Sequence, residues 1–264
     1  MSDSYFTCLD ETPTTGRYVA GPATTGPWAA HLQHGGPPNA LAVDAAVRAV
    51  RAETGRDDLI ALRLAAEFVG PVPVAEVETR ARVLRTARSA ALAEVTVASG
   101  GRDCLLTRVW FVRDADTADV APASEPPAPL PDEPSTLGID FGYGASLEWR
   151  FVRGAMREPG PAAVWARAPL PLVADRHAHG LALAALVADS GNGVSAALDW
   201  SHWSFVNVDL DIHLARPVHG EWLLLDAATQ LGANGSALAR STLSDLYGVV
   251  GAGLQTLVLA RVEQ

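Results

Sequence analysis

The chain of 264 residues contains no lysine, and its 20 basic residues are all arginine against 30 Asp and Glu, a formal net charge of −10. Nucleic acids and anionic membrane surfaces are therefore excluded as expected partners, since both need a basic surface. Any anionic small ligand must be held by a few local arginines, whose planar fork suits phosphate. Cysteine is nearly absent as well. Cys8 and Cys104 match no metal or redox spacing, and a reduced, cytoplasmic protein is the expectation. No apolar run reaches the ~18 residues of a membrane span. The opening "MSDSYFTCLDETP" lacks the basic and apolar regions of a secretion signal. No G-x-S-x-G elbow, P-loop or complete dinucleotide fingerprint occurs, so a serine hydrolase or nucleotide enzyme is not indicated. The pair His177 and His179 points to different helix faces, and His31 with His34 lacks a nearby Cys or carboxylate cluster. All four are assigned to helix starts or the surface, and no metal or organic cofactor is expected.

What is present is hydrophobic material, 48% of the chain, arranged in two similar halves. Residues 114–136, "DADTADVAPASEPPAPLPDEPST", hold six prolines among acidic side chains. Such a segment reads as an extended, mobile linker between an N-terminal unit, 1–113, and a C-terminal unit, 137–264. In the first unit His34-Gly35 is followed by Asp44, and in the second His179-Gly180 is followed by Asp189. Each Asp lies ten residues after its His, and the two pairs are 145 residues apart. Pro37 and Pro38 suit the first turn of a helix carrying Asp44, Arg48 and Arg51 at helical spacing. The apolar run Gly180–Ala188 reads as a helix buried on every face, which makes the carboxylate at its end, Asp189, conspicuous.

Strand-like runs follow each helix, at 59–69, 74–85, 89–99 and 103–112, then at 203–214, 221–231, 235–245 and 250–261. Pro71 and Pro217 break the first two runs of each set 146 residues apart. Two signals at nearly one offset indicate internal duplication. A buried helix followed by long antiparallel strands, twice over, predicts an α+β double hot-dog: two repeats, each a central helix wrapped by an antiparallel sheet. The two sheets are expected to join edge to edge. Open outer edges then favour a homo-oligomer.

Three stretches, "LAALVADSG" (183–191), "FVNVDLDIHLARPVHGEWLLLDA" (205–227) and "GSALARSTLSDLYGVVGAGLQTLVLAR" (235–261), resemble the acyl-CoA thioesterase II family. The first half is similar more loosely, through "HGG" and its helix. The resemblance implies a double hot-dog enzyme that hydrolyses fatty acyl-CoA. It also implies a water held by an Asp ending the second helix, a hydroxylated residue on the next strand and a Gln on the final strand. In this chain those places fall to Asp189, Asn207 and Gln255, with Asn207 standing where the family usually has Thr or Ser. Asn can still donate and accept a hydrogen bond. The residues themselves agree on chemistry: thioester hydrolysis needs a base for water and donors for the developing oxyanion. Gly35 and Gly36 at a helix start are candidates for the donors. Asp44 is the second candidate for the base, although small single hot-dog thioesterases carry their acidic residue one place earlier, where Val43 stands here. The competing functions are a hot-dog dehydratase or hydratase, which would use an Asp–His pair, and a non-catalytic acyl-CoA binding protein. His179 is too far along the helix from Asp189 to form such a pair.

Overall fold

The computed structural model describes residues 4–122 and 124–262. In the first half, β1 (Phe6–Glu11) and β2 (Thr15–Ala20) form a hairpin ahead of α1 (Gly36–Thr54). Four strands follow, β3 (Leu59–Phe68), β4 (Glu76–Thr86), β5 (Ala90–Ser99) and β6 (Arg102–Arg113). Local chemistry sets these limits. Pro37 and Pro38 occupy the first turn of α1, where missing N–H groups cost little. The helix ends at Gly55, whose φ of 64° places it in the left-handed cap conformation, with its N–H bonded 2.8 Å from Arg51 O. On β5, Ala91, Ala93, Val95 and Val97 alternate inward and are fully buried, as a one-faced sheet requires.

The second half repeats the plan. A short α2 (Gly142–Ser146) precedes β7 (Glu148–Arg153) and β8 (Ala162–Arg167). Then come α3 (Leu181–Ala188), the single turn α4 (Gly191–Val194), and β9 (Trp203–Asn207) with β10 (Asp209–Leu214). The last three strands are β11 (Trp222–Leu231), β12 (Ser236–Asp245) and β13 (Gly248–Arg261). Strands were expected only after each helix. The two hairpins that come before them, β1–β2 and β7–β8, escape the pattern because they are short, six residues each. The run expected at 203–214 is interrupted at Val208, where Asp209 turns its side chain back onto β13: its carboxylate accepts from Thr256 N and from Thr256 Oγ1.

All named strands belong to one antiparallel sheet in the order β1-β2-β4-β5-β6-β3-β10-β13-β12-β11-β8-β7, with β9 also paired to β13. Read from each end inward, the two halves have the same order. They meet where β3 and β10 pair, with Leu210 opposite Ala66 and Ile212 opposite Leu64. α1 and α3 pack against each other inside the curl of this sheet. All eight residues of α3 are buried, and the two helices share one core with both halves of the sheet.

Residues 114–136 form no helix or strand among those described. Their second half is nevertheless held to the body. Ala128 and Leu130 cover Trp165 and Leu224 on the sheet face opposite the main core. The Trp165 indole donates to Ala128 O at 3.1 Å, Arg150 donates to Pro131 O at 2.6 Å, and Ser135 N donates to Trp149 O at 2.7 Å. The expectation of a free linker missed these contacts, because a few apolar side chains among prolines leave no periodic trace.

A charged cluster ties the halves together at the far side of α1. Arg176 donates to Glu11 Oε2 at 2.9 Å and lies 3.5 Å from Asp44, which also accepts from Arg48 at 3.2 Å. Tyr18 donates to Glu11 at 2.9 Å. The Arg176 hydrogen bond holds the Glu11 carboxyl down at about 2, below its ordinary 4.5, against the opposing effect of partial burial. A carboxylate so depressed adds stability that is complete above its ordinary value and is lost as pH falls from 4.5 toward 2. Urea unfolding should therefore show a steady loss of stability over that window. Glu11→Gln should be less stable at neutral pH by about 1–2 kcal/mol, after allowance for solvent screening, and should show a smaller acid loss.

Candidate active site

α3 ends where Asp189 begins to turn, and three elements hold that turn. Gln255 on β13 donates through Nε2 to Asp189 O at 3.1 Å and accepts through Oε1 from Asn192 N at 3.0 Å. Its amide thereby clamps the backbone between α3 and α4, while the Asp189 side chain goes elsewhere. That carboxylate is 3% exposed. Its Oδ1 accepts from Asn207 Nδ2 at 2.9 Å, and its Oδ2 lies 3.0 Å from His34 Nδ1. Asn207 ends β9 at the break in the strand, and its Nδ2 also donates to Asp209 O at 3.0 Å. Both amide protons are thus committed, leaving Asn207 Oδ1 as an acceptor.

His34 comes from the other half of the chain, two residues before α1. Its ring stacks on Tyr143 with centroids 3.8 Å apart and planes within 7°. The Tyr143 hydroxyl donates to Leu186 O at 2.7 Å and shares a 2.9 Å bond with Ser190 Oγ. Burial pushes the Tyr143 phenol well above its usual range, so it stays a donor. Burial also pushes His34 below its usual 6.5, outweighing the upward pull of Asp189, and the ring is neutral at physiological pH. Two groups compete for Nδ1: the Gly36 N–H at 3.1 Å and Asp189 Oδ2 at 3.0 Å. A ring proton on Nε2 would leave two lone pairs facing each other across 3.0 Å. A proton on Nδ1 bridges to the carboxylate instead, and is the favoured tautomer.

The two glycines are where α1 and α3 touch. A methyl group at Gly36 would stand 2.2 Å from Leu186 O, and one at Gly35 would stand 2.7 Å from Asp189 Oδ2. Of the first backbone N–H groups at this helix start, Gly36 N–H points at His34 Nδ1, which can accept from it only in the tautomer protonated at Nε2. Pro37 and Pro38 have none, and Asn39 N–H bonds Gly35 O. Gly35 N–H has no partner among the described residues. It stands at the positive end of a 19-residue helix, a place suited to negative charge.

These groups open on a cavity of about 400 Å³, lined by His34, Gly35, Asp189, Ser190, Asn192 and Asn207 together with apolar and aromatic side chains from both halves. Four of the expected site residues, Asp189, Asn207, Gly35 and Gly36, are therefore gathered within a few ångströms. Gln255 reaches the Asp189 backbone only. Asp44, the second candidate base, lies in the charged cluster described above and lines a separate cavity with His177 and His179. Sequence reading missed His34 and Tyr143. Each His was paired with the Asp ten residues along in its own half, whereas the packing of α1 on α3 exchanges partners, so that His34 meets Asp189.

With this arrangement in view, the comparisons with known proteins identify the class. The fold is that of the hot-dog thioesterases. A protein of unknown function with a hot-dog fold from Alicyclobacillus acidocaldarius is 16% identical, over 96% of each chain, with a TM-score of 0.71. An acyl-CoA thioesterase II from Mycobacterium marinum is 16% identical, over 97% of this chain and 95% of that one, at 0.71. A protein of Novosphingobium aromaticivorans is 23% identical, over 95% and 97%, at 0.73. Residues 24–112 match the acyl-CoA thioesterase N-terminal domain and residues 118–259 the C-terminal domain. The chain belongs to the acyl-CoA thioesterase family. No curated protein sequence matches it. Among the described residues no helix is long and apolar enough to cross a membrane.

The helix contact gives a direct test. Gly36→Ala should force α1 away from Leu186 O, a backbone atom that cannot swing aside. A loss of roughly 1–3 kcal/mol in urea unfolding is expected, the usual cost of overpacking. The stacking of His34 on Tyr143 should loosen with it, readable as a shifted His34 ring resonance.

Proposed function

We propose that this chain hydrolyses acyl-CoA to a free acid and CoA, with Asp189 as the base that activates water. The observation that carries this reading is the Asp189 carboxylate itself: buried, gripped by Asn207 and His34, and facing a cavity beside an unpartnered N–H at a helix start. Water gives one proton to Asp189 as its oxygen attacks the thioester carbonyl carbon, and its other hydrogen finds an acceptor in Asn207 Oδ1. The carbonyl oxygen becomes an oxyanion that Gly35 N–H can receive, supported by the helix α1 dipole. Collapse breaks the carbon–sulfur bond, and the proton held by Asp189 passes to the departing thiolate. His34 and Gln255 are positioning residues here, one fixing the carboxylate and the other the turn that bears it. The role expected for Asn207 is kept. That of Gln255 becomes indirect.

The matched strand order of the halves, together with the 145-residue offset, supports a double hot-dog born of duplication, with units 1–113 and 137–264 joined through 114–136. Apolar side chains left open on the outer sheet, among them Val249, Leu254 and Val258, support self-association.

A free-thiol release assay on purified protein tests the reading. Asp189→Asn keeps shape and hydrogen-bonding reach while removing the base. Turnover should fall about 10²–10⁴-fold, with binding of a non-hydrolysable acyl-CoA nearly unchanged. Wild-type turnover by that variant would overturn the assignment of Asp189. A second reading is favoured by one observation, the Asp189–His34 pair at 3.0 Å. Such a pair is what a dehydratase or hydratase of acyl thioesters would use, and the pairing of Asp189 with a His was discounted from sequence only because His179 was considered. Conversion of a 2-enoyl to a 3-hydroxyacyl thioester, without thiol release, would select it.

A further inference from the structure

Aromatic residues make up 6% of the chain, yet Trp28, Phe68, Phe141, Tyr143, Trp149 and Trp200 all line the cavity at Asp189. A channel for a straight alkyl chain needs only aliphatic walls, which this alanine- and leucine-rich sequence could have supplied cheaply. The rings also hold one another in place. Trp28 stacks on Trp200 with centroids 5.1 Å apart and planes within 16°, and Phe205 meets both edge-on, at 5.1 and 4.9 Å. Phe141 lies 6.2 Å from Tyr143, which is itself stacked on His34. Rings fixed in this way present π faces and edges at little further cost in side-chain freedom. A planar ring entering the cavity gains an offset or edge-on pair with them beyond the area it buries, and a flexible alkyl chain of equal carbon number does not.

The charge of the wall narrows the choice further. No arginine lines the cavity among the described residues, and Asp189 is its carboxylate. An acyl group ending in a second carboxylate would be desolvated there without a cation and would face a like charge. The volume, about 400 Å³, accommodates a single ring with its thioester and the neutral end of the carrier. With no arginine among the described residues of its lining, it offers the phosphates of CoA no cation.

We infer that the acyl group this site takes is an uncharged aromatic one, with Trp28 and Trp200 as its specificity-determining residues. The inference rests on the acyl-CoA hydrolase reading above. Phenylacetyl-CoA and octanoyl-CoA carry acyl groups of the same carbon number, and glutaryl-CoA adds a terminal carboxylate. In free-thiol release, kcat/KM for phenylacetyl-CoA should exceed that for octanoyl-CoA by about tenfold, the scale of one or two aromatic pairs, and glutaryl-CoA should be slowest. Octanoyl-CoA turned over equally or better overturns the inference while leaving the hydrolase reading intact, and so does rapid turnover of glutaryl-CoA. If no thioester releases thiol, the hydrolase reading is lost. Calorimetric binding of phenylacetyl-CoA and octanoyl-CoA then decides the inference alone: about tenfold tighter binding of the aromatic ligand upholds it, and equal binding overturns it. Trp28 is 40% exposed, so Trp28→Leu can be made without opening the core. That variant, and Trp200→Leu beside it, should lower kcat/KM for the aromatic thioester several-fold more than for octanoyl-CoA. An unchanged ratio in both overturns the role of the two tryptophans.

Discussion

The contact between the start of α1 and the end of α3 is the constraint on which the site depends. Gly36 lets the first turn of one helix approach Leu186 O of the other closer than any side chain would permit. That approach delivers His34 to Asp189 and brings Gly35 beside the same carboxylate. The long sheet serves this contact. By pairing β3 with β10 it fixes the separation of the two halves, and by curling it presses each helix onto the other. Alanine-rich, nearly featureless helices are what such a crossing requires, because larger side chains would hold the axes apart.

Polar groups at this crossing are arranged so that few are left without a partner. Asn207 spends both amide protons, Gln255 uses its amide in both directions, and Tyr143 bridges Leu186 O and Ser190. In a medium where an unmade hydrogen bond is expensive, this density of partners fixes the carboxylate in one orientation. In the proposed reaction, holding of that kind would keep the carboxylate aimed at its water.

Much of this was legible in the sequence, and the reason lies in periodicity. The run Gly180–Ala188 could only be an internal helix, so the Asp closing it stood out, and long alternating strands such as β5 declared their faces. Proline pairs and the repeated offset gave the plan of two like halves. The hairpins β1–β2 and β7–β8 were too short to register. The pairing of His34 with Asp189 was out of reach for a different reason: a linear offset associates each His with the Asp of its own half, and only the two-fold crossing of the helices exchanges them. The aromatic lining was equally hidden, because Trp28, Phe68, Tyr143 and Trp200 come from four distant segments with no common spacing.

The cavities at Asp189 and at Asp44 differ in what has been done with the carboxylate. Asp44 and His179 stand where Asp189 and His34 would stand by symmetry, yet Arg48 and Arg176 have claimed the Asp44 carboxylate for a structural knot. One of the two matching carboxylates is tied into structure, and the other faces the cavity for which we propose chemistry. Since the Asp189–His34 pair takes one member from each half, neither half carries it by itself. The Asp189 carboxylate acquires His34 and Gly35 as neighbours only when both halves have closed together, so under the proposed function an incompletely assembled chain is also a silent one.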